Sequence, residues 1–156
     1  MSAKKGVILL AIGATIFFST ALAHLSCIYF GPQCYSSQMA PPEIIESAMK
    51  GTLLAPIGTT LVSAIFMVLG LYALSGAGLL RKLPLSRFCI YLIAFVCIIR
   101  GVLPIQLYFR YPDKTSNIVL SIGITWLLVG LLCFFGYRTV NKQTVGHFDK
   151  NKEEAR

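Results

Sequence analysis

Four long stretches with almost no charge constrain this chain more than any other feature of its sequence. They cover residues 6–25, 52–80, 88–109 and 117–137, and apart from tyrosine and cysteine their only ionisable side chains are His24 and Arg100. A helix needs about 20 mostly apolar residues to cross the hydrocarbon core of a membrane. With 56% hydrophobic and 13% charged residues, the chain also lies outside the range of soluble domains. We therefore predict an all-α integral membrane protein with four spans.

The distribution of lysine and arginine predicts the orientation of the spans, because cytoplasmic loops carry an excess of these residues. The two chain ends and the loop between spans two and three hold most of them: Lys4, Lys5, Arg81, Lys82, Arg87, Arg138, Lys142, Lys150, Lys152 and Arg156. The opposite side holds only Lys50, Arg110 and Lys114. We predict that both termini are cytoplasmic, with a membrane domain over residues 1–138 and a polar cytoplasmic tail over residues 139–156. The net charge of +8 then reflects topology and attraction to lipid headgroups, with no nucleic acid as partner.

The first span has a second interpretation. Lys4 and Lys5, the apolar run and the sequence ALA at residues 21–23 resemble a secretory signal that is cleaved before His24. The apolar run is longer than the roughly 7–15 residues of a typical signal core. We therefore favour a retained helix, and cleavage stays an open alternative.

Two cysteines lie in the long connection between the first two spans, which faces outwards on the predicted topology. Cys27 and Cys34 enclose six residues, among them the turn pair Gly31 and Pro32. An oxidising compartment would allow a disulfide between them, worth about 2.5 kcal/mol by the chain-entropy estimate. Two unrelated thiols at the end of a helix are the alternative.

The same connection contains PPEIIESAMKG, residues 41–51, which predicts a short amphipathic helix on the outer surface. Prolines suit its first turn and Gly51 suits its C-terminal stop. At helical spacing the residues divide into an apolar face of Ile44, Ile45, Ala48 and Met49 and a polar face of Glu43, Glu46, Ser47 and Lys50. We predict a lid over the outer end of the spans, and an ordinary solvated loop is the alternative.

Small residues predict where the spans pack, because helices in lipid meet through close approach of their backbones. The second span has Gly70, Ala73 and Ala77 at helical spacing, and the fourth has Gly123 and Gly130 seven residues apart. These faces favour a compact antiparallel four-helix bundle. They would equally suit the helix of a partner, and the sequence does not separate the two.

Arg100 is the one charge deep within a span. A central arginine costs roughly 2.5–3.5 kcal/mol on insertion, and the apolar residues of the third span more than offset that cost. Pro104 cannot donate a hydrogen bond to the carbonyl of Arg100, which predicts a kink there. Pro56 predicts a second kink, by freeing the carbonyl of Thr52.

These features predict a polar site on the outer side, because freed carbonyls in a membrane need protein or water as partners. His24 and Gln106 lie at compatible depths. Arg100 has three interpretations: a structural latch to Glu43 or Glu46, a binding site for an anionic ligand or lipid, or a side chain that snorkels to the membrane surface. Snorkelling alone falls short, because nine residues put Arg100 about 13 Å from the outer boundary and its reach covers roughly half of that.

Missing motifs narrow the function. None of the six acids lies in a span, which disfavours a proton-coupled exporter. We find no glycine-rich phosphate loop, no HExxH and no GxSxG motif, and we predict no cofactor, metal site or catalytic residue. The sequence favours a non-enzymatic accessory or interaction protein, with membrane lipids and another membrane protein or a second copy as partners. The alternative is a binding or transport subunit for a small anion or anionic lipid, and thiol redox chemistry by Cys27 and Cys34 comes third.

The segment GLYALSGAGLLRKLPLSR, residues 70–87, is followed by an arginine-glycine pair at Arg100 and Gly101. Together with the pattern of four spans, it resembles a family of small uncharacterised inner-membrane proteins of bacteria. The resemblance implies a multi-pass protein of the bacterial inner membrane. It implies no activity and no substrate.

Overall fold

The computed structural model describes residues 3–38, 40–110 and 117–154, with side chains described over 4–38, 40–110 and 117–141, and these residues form helices joined by turns and short irregular segments. The helices are α1 (Ala3–Phe30), α2 (Pro32–Ser37), α3 (Pro42–Lys50), α4 (Leu54–Gly76), α5 (Ser86–Arg110) and α6 (Asn117–Glu154). Four segments are long and apolar enough to cross a membrane: Lys4–Phe30, Leu54–Gly76, Ser86–Arg110 and Asn117–Asn141. The predicted all-α fold with four spans is confirmed. Lys114, one of the cations used to predict the orientation of the spans, lies outside the described residues.

The helix ends differ from the predicted spans. α1 continues to Phe30, and α4 begins at Leu54 and ends at Gly76, short of the predicted Leu80. The early end has a local cause. Gly78 adopts a φ of 75°, which glycine tolerates without steric cost, and the N–H groups of Gly78 and Leu79 donate to the carbonyls of Ser75 and Leu74, at 3.1 Å each.

The fourth span also runs further than its apolar stretch. α6 continues without a break to Glu154, so most of the predicted polar tail is helical backbone. The residues beyond 138 include no proline, and the one glycine among them, Gly146, lowers helix propensity by only about 1 kcal/mol. A polar composition therefore did not end the helix.

Two short helices connect α1 to α4. The predicted amphipathic helix is present as α3, and Gly51 follows it in the left-handed conformation. The prediction missed α2, whose six residues begin with Pro32 at the first helical position. The predicted faces of α3 need a correction: Ser47 is buried and Met49 is 69% exposed.

The chain forms two compact units. Unit 1 consists of Met1–Ala14 and Leu71–Arg156, and unit 2 consists of Thr15–Gly70. Each unit has its own buried core. In unit 1, Leu10, Ala77 and Ile90 form a cluster, and in unit 2, Cys27, Tyr35 and Ala55 form another.

In unit 1, α5 and α6 meet along small residues, which we call the glycine seam (Ala94, Gly101, Gly123 and Gly130). A Cβ added to Gly101 would lie 2.5 Å from the backbone nitrogen of Leu127 and 2.7 Å from the carbonyl oxygen of Gly123. A Cβ on Gly130 would lie 2.9 Å from the carbonyl oxygen of Ala94. The two backbones are therefore in direct contact, as small residues allow in membrane helices.

A second close approach in unit 1 joins the start of α1 to α6. A Cβ on Gly6 would lie 2.8 Å from the carbonyl oxygen of Gly136, and one on Gly13 would lie 3.3 Å from the Cys133 sulfur. Neither Gly6 nor Gly136 belongs to the packing faces predicted from the sequence. The start of α1 is thus a packed part of unit 1.

Candidate functional site

Arg100 lies on the outward face of α5 in unit 1. The buried residues of this helix are Ile90, Ile93, Ala94, Cys97 and Gly101. Arg100 itself is exposed, and so are Val96, Leu103 and Leu107, which are its neighbours at helical spacing. No described group of unit 1 forms a hydrogen bond or an ion pair with its guanidinium. The charge therefore stands in an apolar strip with no partner in the described part of its own unit.

Pro104 and Gln106 take different positions on the same helix. α5 continues through Pro104 as far as Arg110. The proline ring packs on α6, since a Cβ added to Gly123 would lie 2.9 Å from the Pro104 Cβ. Gln106 is exposed. Pro104 thus belongs to the contact with α6, whereas Gln106, like Arg100, is open to the surroundings.

The predicted kink at Pro56 has no basis in unit 2, because α4 begins only at Leu54. Pro56 is therefore in the first turn, where a missing N–H costs no intrahelical hydrogen bond. The carbonyl of Thr52, predicted to be freed, accepts a hydrogen bond of 3.3 Å from the Ser47 hydroxyl.

The other candidate site residues all lie in unit 2. Glu46 forms an exposed ion pair with Lys50 one turn further along α3, and Glu43 is exposed. The half-buried His24 ring stacks on Phe66, with the ring centres 5.6 Å apart. The latch between Arg100 and Glu43 or Glu46 stays a prediction.

A disulfide joins Cys27 and Cys34 in unit 2, with the two Cα atoms 5.1 Å apart. Cys27 is 1% exposed and Cys34 is half-buried. The apolar side chains packed against the cluster of Cys27, Tyr35 and Ala55 are Cys34, Ala40, Ile44, Ile45 and Ala48. The apolar face of α3 therefore packs on the disulfide and on the first turn of α4, and we call this arrangement the cap.

Hydrogen bonds that involve buried hydroxyl groups complete the cap. The Ser47 hydroxyl accepts a bond of 2.8 Å from the N–H of Ala55, one of the N–H groups at the start of α4 that lack a partner within the helix. The hydroxyl groups of Tyr35 and Thr59 share a bond of 3.1 Å. Ser47 thus acts as an N-cap for α4 from a different helix, which explains why it is buried.

Replacing Ser47 tests this N-cap. We expect Ser47→Ala to lower the free energy of unfolding by about 1–2 kcal/mol, because the N–H of Ala55 loses its partner in a buried position. Thermal unfolding in detergent measures the loss. Ser37→Ala is the matched control, because that hydroxyl is exposed and bonds only to the carbonyl of Cys34 on its own helix. Equal unfolding temperatures for the two variants would contradict the role of Ser47.

The predicted packing faces are covered by the chain itself. A Cβ on Gly70 would lie 2.7 Å from the Phe18 ring in unit 2. In unit 1, Ala73 and Ala77 are buried, and Gly123 and Gly130 pack on α5. These small residues therefore serve internal packing, and partner binding through them would require the fold to open.

Neither a search for metal ligands nor comparison with known proteins identifies further site residues. Among the described residues, no group of three or more His, Cys, Asp or Glu side chains is close enough to hold a metal ion. Comparison of the whole chain with protein-family models, with curated proteins and with solved structures finds no match.

Proposed function

We propose that this protein is a non-enzymatic membrane protein that binds another membrane protein through the exposed face of α5, with Arg100 as the recognition residue. The observation that carries the proposal is the position of Arg100, exposed in an apolar strip near the middle of a span-length helix. We call this strip the α5 face and define it by Val96, Arg100, Leu103 and Leu107, all of which are exposed.

A charge that faces acyl chains is energetically unfavourable. An arginine near the centre of a span costs roughly 2.5–3.5 kcal/mol on the insertion scale. Ionisable residues inside membranes therefore pair with one another or mark a functional path. A carboxylate on a partner helix would offset the cost of Arg100, while the apolar residues above and below it would pack on that helix.

Depth favours a partner protein over a lipid headgroup. Arg110, at the end of α5, is ten positions beyond Arg100, which corresponds to about 15 Å along the helix axis. The arginine side chain reaches only about half of that distance. A headgroup phosphate would have to enter the hydrocarbon core to meet it, whereas a carboxylate on a second helix needs no such displacement.

The environment of the disulfide supports a non-enzymatic role. Thiol exchange requires a thiolate to reach one sulfur and expel the other. Cys27 is 1% exposed, so attack is confined to the half-buried Cys34 and would have to expel a buried thiolate near the C-terminal end of α1. Burial and the negative end of a helix both disfavour that thiolate.

We also propose the bacterial inner membrane as the location and cytoplasmic positions for both termini. Lys4 and Lys5 begin α1 and Cys27 lies at its other end, so the disulfide and these cations are on opposite sides of that span. Cations are in excess on the cytoplasmic side and disulfides persist in oxidising compartments. The two signals support the same orientation.

The experiment compares the tagged protein with Arg100→Gln after purification from its native membranes in mild detergent. We expect the amount of partner that co-purifies to fall at least tenfold, which corresponds to about 1.4 kcal/mol. Arg110→Gln removes the same charge from the exposed end of the same helix and should leave the partner bound. Thermal unfolding of both variants shows that they are folded.

A charge exchange makes the result specific. Arg100→Glu should abolish co-purification, and replacing the partner's intramembrane acid with lysine should restore it. Retention of the partner by Arg100→Gln contradicts the proposal. Loss of a bound anion or anionic lipid from Arg100→Gln, with no protein partner in the wild-type sample, would instead establish the binding or transport subunit as the function.

A further inference from the structure

One end of unit 1 gathers four segments of the chain. Gly6 of α1 packs on Gly136 of α6. The cluster of Leu10, Ala77 and Ile90 then joins α1 to the residue after α4 and to the start of α5. The start of α1, the turn after α4, the start of α5 and the part of α6 near residue 136 therefore lie together.

This end carries a strong positive charge. Its exposed cations are Lys4, Lys5, Arg81, Lys82, Arg87 and Arg138. No Asp or Glu occurs in residues 4–14, 71–110 or 117–141, the ranges of unit 1 whose side chains are described. The described part of this end thus contains no carboxylate that could pair with these cations. Their charge therefore favours binding of an external anion.

Large apolar side chains alternate with the cations in LLRKLPLSRF, residues 79–88, which we call the basic segment. Leu79, Leu80, Leu85 and Phe88 are all exposed. Leu85 is the most exposed of them, at 73%, and adopts a φ of 55°, a left-handed conformation that leucine rarely takes. The basic segment therefore keeps the Leu85 side chain exposed, although this backbone conformation is unfavourable for leucine.

Hydrogen bonds to and from one buried hydroxyl group hold the basic segment in this conformation. Ser75 is 4% exposed, and its hydroxyl accepts a bond of 2.9 Å from the N–H of Leu83 and lies 3.1 Å from the carbonyl oxygen of Arg81, to which it donates. The exposed leucines thus belong to an ordered turn rather than to a loose loop. An ordered surface with both leucines and cations matches the boundary between acyl chains and headgroups.

We propose that the basic segment docks into the headgroup region of the membrane and binds the phosphodiester groups of anionic phospholipids through Arg81, Lys82 and Arg87. Leu85 and Phe88 enter the acyl region, and the three cations meet the phosphates above it. Each cation near an anionic surface adds to lipid affinity. This inference does not depend on Arg100 or on a partner protein.

The test measures which lipids the purified protein retains. The protein is incubated with mixed micelles of equal phosphatidylglycerol and phosphatidylcholine, and bound lipids are counted by native mass spectrometry. We expect phosphatidylglycerol to exceed phosphatidylcholine by about fivefold or more, the effect expected of a single cation at an anionic surface. The combined variant Arg81→Gln, Lys82→Gln and Arg87→Gln should lose most of this preference, and Lys50→Gln with Arg110→Gln, which changes cations elsewhere, should keep it.

A second variant tests the proposal without destabilising the protein. Leu85→Gly relieves the backbone strain and removes the apolar side chain, so it should unfold at a higher temperature in detergent yet retain fewer phospholipids of both kinds. Inorganic phosphate added in excess should not displace bound phosphatidylglycerol, because the acyl chains contribute to its binding. Equal retention of the two lipids by the wild-type protein, or an unchanged preference in the triple variant, overturns the proposal.

Discussion

Gly101→Ala is expected to lower the free energy of unfolding by about 3 kcal/mol, the upper part of the usual range for overpacked interiors. The new methyl group would lie 2.5 Å from the backbone nitrogen of Leu127 and 2.7 Å from the carbonyl oxygen of Gly123. Neither atom can rotate away, because both belong to the backbone of α6. The two helices must therefore separate along the glycine seam. Thermal unfolding of the purified protein in detergent measures the loss.

Gly58→Ala is the matched control for this prediction. Gly58 is also in a span-length helix, but an added Cβ would meet only the Ile44 Cδ1 atom, at 3.5 Å, an ordinary contact. Alanine there should leave stability unchanged or raise it by about 0.5–1 kcal/mol, because it favours the helix. If both alanine variants unfold at the temperature of the wild-type protein, the close approach of α5 and α6 is wrong.

The glycine seam also matters for the proposed function, because it sets the direction of Arg100. Consecutive residues of a helix point about 100° apart. With Gly101 held against α6, Arg100 is directed away from that contact and stands on the exposed α5 face. A change at Gly101 that rotates or displaces α5 should therefore weaken partner binding as well as stability.

Much of this fold could be predicted from the lengths of the apolar stretches. A membrane-spanning segment must satisfy all its backbone hydrogen bonds internally, so a long uncharged stretch has few alternatives to a helix. The helix ends were harder to predict. α4 ends two residues before the left-handed Gly78, and α6 continues to Glu154 although its last residues are polar. Apolar length determines where a helix can cross the membrane, but it does not determine where the helix stops.

For the short helix α3, nearby residues determine the helix ends but not which side chains are buried. Proline at its start and Gly51 at its end predicted its bounds correctly. The pattern was wrong about Ser47 and Met49. Ser47 is buried because its hydroxyl accepts a hydrogen bond from the N–H of Ala55 at the start of α4, eight residues along the chain. Periodicity shows which residues share a face, but it does not show which distant N–H group lacks a partner.

The candidate site, too, could be predicted only in part. Arg100 could be identified from the sequence, because it is the lone arginine in an otherwise uncharged span. Its partner could not, because that depends on three-dimensional contacts that no local pattern encodes. The role of Gly101 was missed, although a signal was present. Ala94 and Gly101 are seven residues apart, as are Gly123 and Gly130 on the helix against which they pack. Matching intervals of small residues on two spans would have predicted the glycine seam.

Replacing Cys27 and Cys34 together with alanine is expected to lower the free energy of unfolding by about 2.5 kcal/mol, the chain-entropy value for so short a loop. For a chain of this size the loss corresponds to a decrease of about 5–10 °C in the midpoint of thermal unfolding. Both cysteines are changed so that no unpaired thiol remains. Cys89→Ala is the control, because it removes a half-buried cysteine that forms no disulfide, and it should have little effect.

The physical reason for the loss lies in the length of α2. Its six residues are too few for a helix to be stable by itself, since helices below about 12 residues are marginal in water. The disulfide and the buried Tyr35 fix it to the cap, and the Tyr35 hydroxyl shares a hydrogen bond with Thr59 of α4. Without the covalent bond, α2 keeps only non-covalent contacts, among them Tyr35 and a hydrogen bond of 2.7 Å from the Gln38 side chain to the carbonyl of Ala23. The bond to Thr59 and the packing of α3 should therefore weaken together.

Reduction of the wild-type protein separates this structural role from a redox role. A dithiol should lower the unfolding temperature of the wild-type protein to that of the double alanine variant and should not affect the variant itself. The reaction should be slow in the folded protein, because the Cys27 sulfur is buried and only the half-buried Cys34 can be attacked. Rapid reduction without loss of stability would contradict the structural role, since a redox site must exchange electrons while the fold persists.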